Sequence, residues 1–394
     1  MTPSDSETAR TGRARNPLRN RDVTRRTVQT RAFELEWVDD LEAVAADWRR
    51  LALRSRNLFA TWEWASTWWR RFGGDAALLI GVCRRSSGEC FALLPLYEWR
   101  SRPLRVLRLI GHDAADELGP VCAASDRALA ARALRQALEE LGADVLVGER
   151  LPGGVSWPSL LDGARVLKRD AYPLIRCAGG WAEYVATRSS HLRKKLPYQE
   201  RKLQRTHDVR YRLASDADRL EADLDLLFAL HGSRWQEATE YALYGAFHRE
   251  FAAVAFEQGW LRLWFLELDG VPAAAWHGFR FAGVESHFQS GRDPRLAEAS
   301  LGSVLLMHTI REALEDGADE YRFLRGGEAY KYRFATDDPG LETVALGRGA
   351  AGRLAVEGVT IARRLSRGRA FGRPGRDAVK GSAAAAATPP QLAS

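Results

Sequence analysis

Two short segments of this chain concentrate residues that could do chemistry. The first, Arg325–Phe334, reads RGGEAYKYRF. A glycine pair is followed at once by Glu328, Tyr330 and Lys331, with Arg325 and Arg333 on either side. Arginine forks match phosphate or carboxylate, so the cluster suits an anionic donor or acceptor. A solvated charged loop carrying a half-buried tyrosine is the plain alternative. The second segment, Gly291–Ser303, gathers Ser300, Leu301, Gly302 and Ser303. Behind them Leu306, Ile310, Ala313 and Leu314 recur at helical spacing. The free N–H groups of a helix start carry partial positive charge and bind phosphate or carboxylate. An ordinary serine-capped helix would look the same in sequence.

General bases are harder to find. His277 and His287 fall on adjacent strand-like runs. His287 alternates with Glu285 and Gln289, which predicts that all three share one face of a strand. Either Glu285 or His287 could then take a proton, or both could be buried or surface residues with no such role. His231, Arg234 and Trp235 lie on one turn of a predicted helix, where His231 shares a face with each of the others. They could meet an acceptor, or Trp235 could simply pack into the core. Ser189–Arg205 carries six basic residues and only Glu200 against them, either a steering patch for anionic substrates or a solvated helix face.

The elements that must position these residues are legible. Trp260–Glu267, Ala273–Phe281 and Val284–Ser290 read as three strands, joined by the tight-turn dipeptides Asp269-Gly270 and Ala282-Gly283. The helix from Ser300 follows and stops at Gly317. Tyr321–Leu324 is one more strand. Earlier in the chain the order is strand (Phe33–Trp37), two helices, a hairpin (Ala77–Cys83 with Cys90–Tyr97), strand, helix, strand (Val145–Val147). From Tyr172 the same order is repeated, without repeated residues. The fold class is therefore α/β (α+β), with two tandem units of mixed, largely antiparallel sheet, or one such unit behind an unrelated N-terminal α/β module.

This order, a polar small-residue loop opening the helix and a tyrosine after the next strand resemble the acyl-CoA N-acyltransferase (GNAT) superfamily. Ser300–Leu306 (SxGxxLL), Arg325–Arg333 (RGGExYKxR) and Leu230–Trp235 (LHxxRW) are similar to the cellulose-biosynthesis (CelD-like) subfamily, related to the FemAB transferases. The loop itself departs from the superfamily's usual (Q/R)xxGx(G/A). The resemblance spans about Phe33 to Gly347. It implies two GNAT-like domains, 32–165 and 166–348, between a disordered basic tail, 1–31, and a basic low-complexity tail, 349–394, with room for a helix near Val356–Leu365. It implies acetyl-CoA or another acyl-CoA as donor, held by Ser300, Leu301, Gly302, Ser303 and Lys331. Tyr330 stands where the superfamily keeps its general acid, with Glu328, Glu285 and His287 as further catalytic candidates. His231, Arg234, Trp235 and Arg325 are the implied acceptor contacts. The acceptor would be an amine, on a small molecule or a polysaccharide precursor. FemAB-like transfer from aminoacyl-tRNA, or a non-catalytic scaffold of polysaccharide synthesis, are the alternatives.

Composition bounds the rest. A chain of 394 residues with 46% hydrophobic and 28% charged residues is that of a globular protein. Its formal charge of +7 sits in the arginine-rich ends, leaving a net acidic body. No stable nucleic-acid binding is therefore expected of the body, while the ends could associate with a membrane or a polysaccharide synthase. No apolar stretch follows Arg25-Arg26, so no signal peptide is expected. Cys83, Cys90, Cys122 and Cys177 are scattered, which reads as thiols in a reducing cytoplasm and gives no metal site.

Overall fold

The computed structural model describes residues 33–101, 103–234 and 239–371. The segments expected to be tails, 1–31 and 372–394, lie outside the described residues. The first half runs β1 (Glu34–Val38), α1 (Ala45–Ser55), α2 (Trp62–Phe72), β2 (Ala77–Arg84), β3 (Cys90–Ser101), β4 (Leu104–Leu109), β5 (Val121–Cys122), α3 (Arg127–Glu140), β6 (Val145–Pro152), α4 (Trp157–Leu160) and β7 (Arg165–Asp170). The second runs β8 (Leu174–Arg176), α5 (Trp181–Ala186), α6 (Leu196–Thr206), β9 (Val209–Leu213), α7 (Leu220–Arg234), α8 (Glu240–Leu243), α9 (Gly245–Glu257), β10 (Leu261–Leu268), β11 (Val271–Phe281), β12 (Val284–Arg292), α10 (Leu301–Glu315), β13 (Glu320–Arg322), β14 (Leu341–Gly347) and α11 (Gly349–Phe371).

Local chemistry explains these starts and stops. The Thr61 side chain accepts from the Trp64 N–H and opens α2. Asp269-Gly270 and Ala282-Gly283 both adopt left-handed backbone, the twist that lets a two-residue loop join β10 to β11 and β11 to β12. Both dipeptides are thus the hairpin turns expected.

Two sheets result, one ordered β1-β2-β3-β4-β6-β14-β7 with β5 beside β3, the other β8-β13-β12-β11-β10-β9. Each contains one parallel pair behind a helical crossover. In the first it is β4 with β6, Val106–Arg108 against Val145–Val147. In the second it is β12 with β13, at 284–286 against 320–322. An antiparallel meander followed by a helix and a parallel strand therefore occurs twice, as the repeated element order predicts.

The division of the chain differs from the expected one. The expected boundary, between 165 and 166, falls inside β7. Residues 341–347, expected in the second unit, form β14, which inserts between β6 and β7 of the first sheet. Residues 349–371, expected as tail, form α11 against that sheet, where Val356 is buried. The reason is hydrogen bonding: β6 and β7 each have an edge facing the same gap, and a strand from the far end of the chain fills it.

The two halves also share a core. Trp64 of α2 meets Phe247 and Phe251 of α9 edge to face, with ring centroids 4.9 and 4.6 Å apart. Trp48, Trp64, Trp68, Trp157 and Trp276 are fully buried, which accounts for much of the chain's tryptophan. Cys83, Cys90 and Cys122 are buried free thiols, and Cys177 is half-buried.

Candidate active site

The site is built where two parallel strands part. β12 and β13 pair only as far as Ser286 and Arg322. Beyond that β12 runs on to Arg292 without this neighbour, and the start of α10 crosses the gap. A cavity of about 280 Å³ opens there, lined by Trp276, His287, Ser290, Arg292, Ser300, Gly302, Ser303 and Tyr330 among others. The loop serines, the glycine, His287 and Tyr330, singled out in separate parts of the sequence, thus converge on one cleft.

A β-bulge decides which side chains of β12 reach it. His277 pairs with Gln289 and Gly278 with His287, so Phe288 has no partner on β11. An extra residue shifts the alternation by one. Glu285 and His287 keep one face, Ser290 and Arg292 join it, and Gln289 turns to the other. The expected shared face of Glu285, His287 and Gln289 is corrected in that respect. His277 also lies on the far face, buried, with its Nδ1 3.0 Å from the Tyr241 hydroxyl. Burial pushes its pKa down to about 3, so it stays a neutral core residue.

At the mouth of the cleft Ser300 takes left-handed backbone, and its carbonyl accepts the N–H groups of Ser303 and Val304 at 2.9 and 3.1 Å. Its hydroxyl makes no cap bond. Gly302 faces Arg292: a Cβ built on the glycine meets nothing nearer than the Arg292 Cδ, at 3.8 Å. A guanidinium and the amide end of a fifteen-residue helix therefore share one opening, which suits a phosphate or carboxylate. Arg292 was not recognisable in the sequence. It is the last residue of its strand, and only the bulge turns it toward the loop. Leu301, expected with the donor loop, buries its side chain completely in the core under α10 and does not line the cavity.

His287 is buried and stacks on Trp276, with centroids 5.4 Å apart and planes at 24°. Glu285 lies deeper on the same face and does not line the cavity. Burial raises its pKa to about 7, against the opposing pull of Arg262 and Arg280, each 3.9 Å away.

The segment after β13 divides its residues between the cleft and the interior. Tyr330 caps a short 3-10 turn, Lys331–Arg333, whose successive side chains point about a third of a turn apart. Tyr330 faces the cleft, so Lys331 faces inward. The expected donor contact by Lys331 is therefore corrected. Its side chain is buried and donates to the carbonyls of Leu324 and Arg325 at 3.4 and 2.8 Å, with Glu328 at 3.0 Å. It fastens the turn at Leu324, which has positive φ. Glu328 is exposed and outside the cavity lining. Arg325 turns to the first half of the chain, 3.4 Å from Asp116, and its neighbour Arg322 lies 3.5 Å from Glu117.

Of the expected acceptor cluster, His231 is buried, with its Nδ1 3.1 Å from the Ser290 carbonyl and its Nε2 2.9 Å from the Thr239 hydroxyl. It holds the end of β12 in place and does not open to the cleft. Arg234 ends α7, and Trp235 lies outside the described residues.

Residues 190–332 match the family model described as an acetyltransferase (GNAT) domain. The chain has a GNAT-like fold, and this segment of it resembles an acetyltransferase domain. Three solved structures resemble most of the chain. FemX is 10% identical with a TM-score of 0.56, over 77% of this chain and 96% of its own. A C-terminal domain assigned as a lysylphosphatidylglycerol synthetase from Agrobacterium fabrum is 12% identical with a TM-score of 0.53, over 82% and 97%. The L-PGS of Bacillus licheniformis is 11% identical with a TM-score of 0.50, over 82% and 95%. At such identities the likeness is one of fold. No curated protein matches the sequence. The matched segment runs from the basic stretch before α6 to the turn after Tyr330, so every cavity-lining residue named above falls within it.

Proposed function

We propose that the chain is an N-acyltransferase that moves an acyl group from acyl-CoA, acetyl-CoA included, directly to an amine in a ternary complex. The observation that carries this reading is the cleft between β12 and β13, with an anion-binding mouth at one end and a phenol on its wall. Arg292 and the first amides of α10 would hold the donor's phosphates. The donor supplies an activated carbonyl and a thiolate leaving group. The acceptor amine must lose a proton as it attacks, and the departing sulfur must gain one. His287 is the better placed base because it lines the cavity, whereas Glu285 lies beneath it. Tyr330 is the acid.

The acceptor is proposed as an amine on a small molecule or an envelope-polysaccharide precursor. That assignment, and the CelD-like placement, rest on the three sequence segments alone. A second reading, aminoacyl transfer from aminoacyl-tRNA, is favoured by one observation: the fold likeness to FemX extends over both halves of the chain. Thermal unfolding with each donor separates the two. Acyl-CoA should raise the melting temperature by mass action. No shift at millimolar acyl-CoA, with a shift on adding aminoacyl-tRNA, would overturn the first reading in favour of the second.

A further inference from the structure

Helix α11 touches the body along one stripe. Gly352, Val356 and Thr360, four residues apart, are buried against the first sheet. Thr360 returns its hydroxyl to the Val356 carbonyl at 2.7 Å, so the stripe makes no polar demand on solvent. The opposite side is the unusual one. Leu354 is 74% exposed and Ile361 48% exposed. Seven residues apart, they stand one above the other, two turns along the helix. Val359, 45% exposed, lies toward the flank. A surface helix ordinarily turns its large aliphatic side chains to the core and its polar ones to water. Here large aliphatics stand on the outward face of a helix that already has an inward one.

The charge in the sequence of α11 and after it is mostly of one sign. The sole acid of α11 is Glu357, and it is paired with Arg165 at 3.2 Å. Arg353 is exposed in the second turn. The helix sequence then adds Arg363, Arg364, Arg367 and Arg369, and Arg373, Arg376 and Lys380 follow it with Asp377 as the one acid among them. A second copy of the chain laid on this face would bring like charges together, which is costly. An anionic surface with an apolar layer beneath satisfies both the aliphatic stripe and the arginines.

We propose that the outer face of α11 docks on an anionic phospholipid bilayer. Leu354 and Ile361 enter the headgroup–acyl boundary, and the arginines meet lipid phosphates. This is the arrangement of an interfacial amphipathic helix, which lies in the membrane plane. Among the described residues no helix is long and apolar enough to cross a membrane, so α11 lies on the surface. The inference concerns α11 alone and does not depend on which donor enters the cleft.

Flotation of the full chain with lipid vesicles tests it. Phosphatidylcholine vesicles should bind little, and vesicles of phosphatidylcholine with an equal amount of phosphatidylglycerol should bind well, less so at high salt. The double variant Leu354→Asp/Ile361→Asp should lower partitioning by at least about tenfold, with an unchanged melting temperature because both side chains are exposed. The milder Leu354→Ser/Ile361→Ser should give an intermediate loss and serves if the aspartates disturb the fold. Three results would overturn the proposal. One is no preference for anionic vesicles. Another is wild-type binding by both double variants, which would leave the attraction to the charged ends alone. The third is a concentration-dependent dimer that either double variant abolishes, which would assign the face to a second copy.

Discussion

Arg292 and Gly302 face each other across the mouth of the cleft, the arginine Cδ 3.8 Å from the place a glycine Cβ would occupy. One residue ends β12 and the other opens α10, so the pair ties the parted strand to the crossover helix. Nothing else crowds that place. The glycine is therefore dispensable for the fold, and what it preserves is the opening.

Gly302→Val should leave the protein's own melting temperature within about a degree, because the added methyls meet open space. It should abolish the rise produced by acyl-CoA. Arg292→Ala should weaken donor binding by roughly ten- to a hundredfold, the worth of a charge-assisted contact to phosphate. Differential scanning fluorimetry with and without donor reads both. A donor shift that survives Gly302→Val would place the donor elsewhere.

Tyr330→Phe keeps the ring and removes the hydroxyl. Turnover should fall by roughly two to four orders of magnitude, the usual contribution of one positioned acid. Donor affinity and stability should hold, since that proton matters in the transition state. Full activity on a verified acceptor would remove Tyr330 from the chemistry.

Lys331→Ala should act on stability before kinetics. The buried ammonium satisfies the carbonyls of Leu324 and Arg325. Its loss leaves both without that donor and should cost on the order of 2–4 kcal/mol. Urea unfolding should show this. A raised KM with unchanged stability would instead mean that Lys331 meets the substrate.

Glu285 gives the protein a pH dependence with a definite sign. Its pKa is raised to about 7 in the folded chain, so between its ordinary value and 7 the folded state holds a proton that the unfolded state has released. Stability should therefore decline as pH rises through that window and level off above it, by on the order of 3–4 kcal/mol at most. Glu285→Gln should flatten the decline. Chemical denaturation at pH 5 and pH 8 measures it, and an equal slope in both proteins would show that Glu285 is not its source.

Ending the chain after Gly340 removes β14 and α11 and leaves β6 and β7 with open edges. Such a protein should be insoluble, as should the isolated segment 166–348, which would carry β14 without its neighbours. Deleting 1–31 should be tolerated. Soluble expression and circular dichroism of the three truncations decide the matter.

What could be read in the sequence was local. The meander, the helix from Ser300 and the tyrosine segment announce themselves through turn dipeptides, helical spacing and a glycine pair, and one cleft is lined by parts of all three. Three things depended on contacts that no window of residues contains. The bulge at Phe288 reverses the parity of β12, hiding Arg292 and misplacing Gln289. The short turn at Lys331 directs that lysine opposite to Tyr330, though the two are neighbours. The partners of β14 lie nearly two hundred residues back, as in the pairing of Ala345 with Val147. Distant pairing follows from which edges remain unsatisfied once the rest has formed.

That last pairing also sets an order of events at the ribosome. β7 emerges long before β14, and the segment between them holds every strand of the second sheet. At ordinary elongation rates the first sheet waits roughly ten to thirty seconds for its missing strand. During that interval two unpaired edges face solvent beside a folding neighbour, and the first unit cannot mature before the second. A protein arranged as beads on a string could release its first bead early. This one is finished from β14 backwards, and the nascent chain is most exposed to misassembly and to chaperone capture just before that strand emerges.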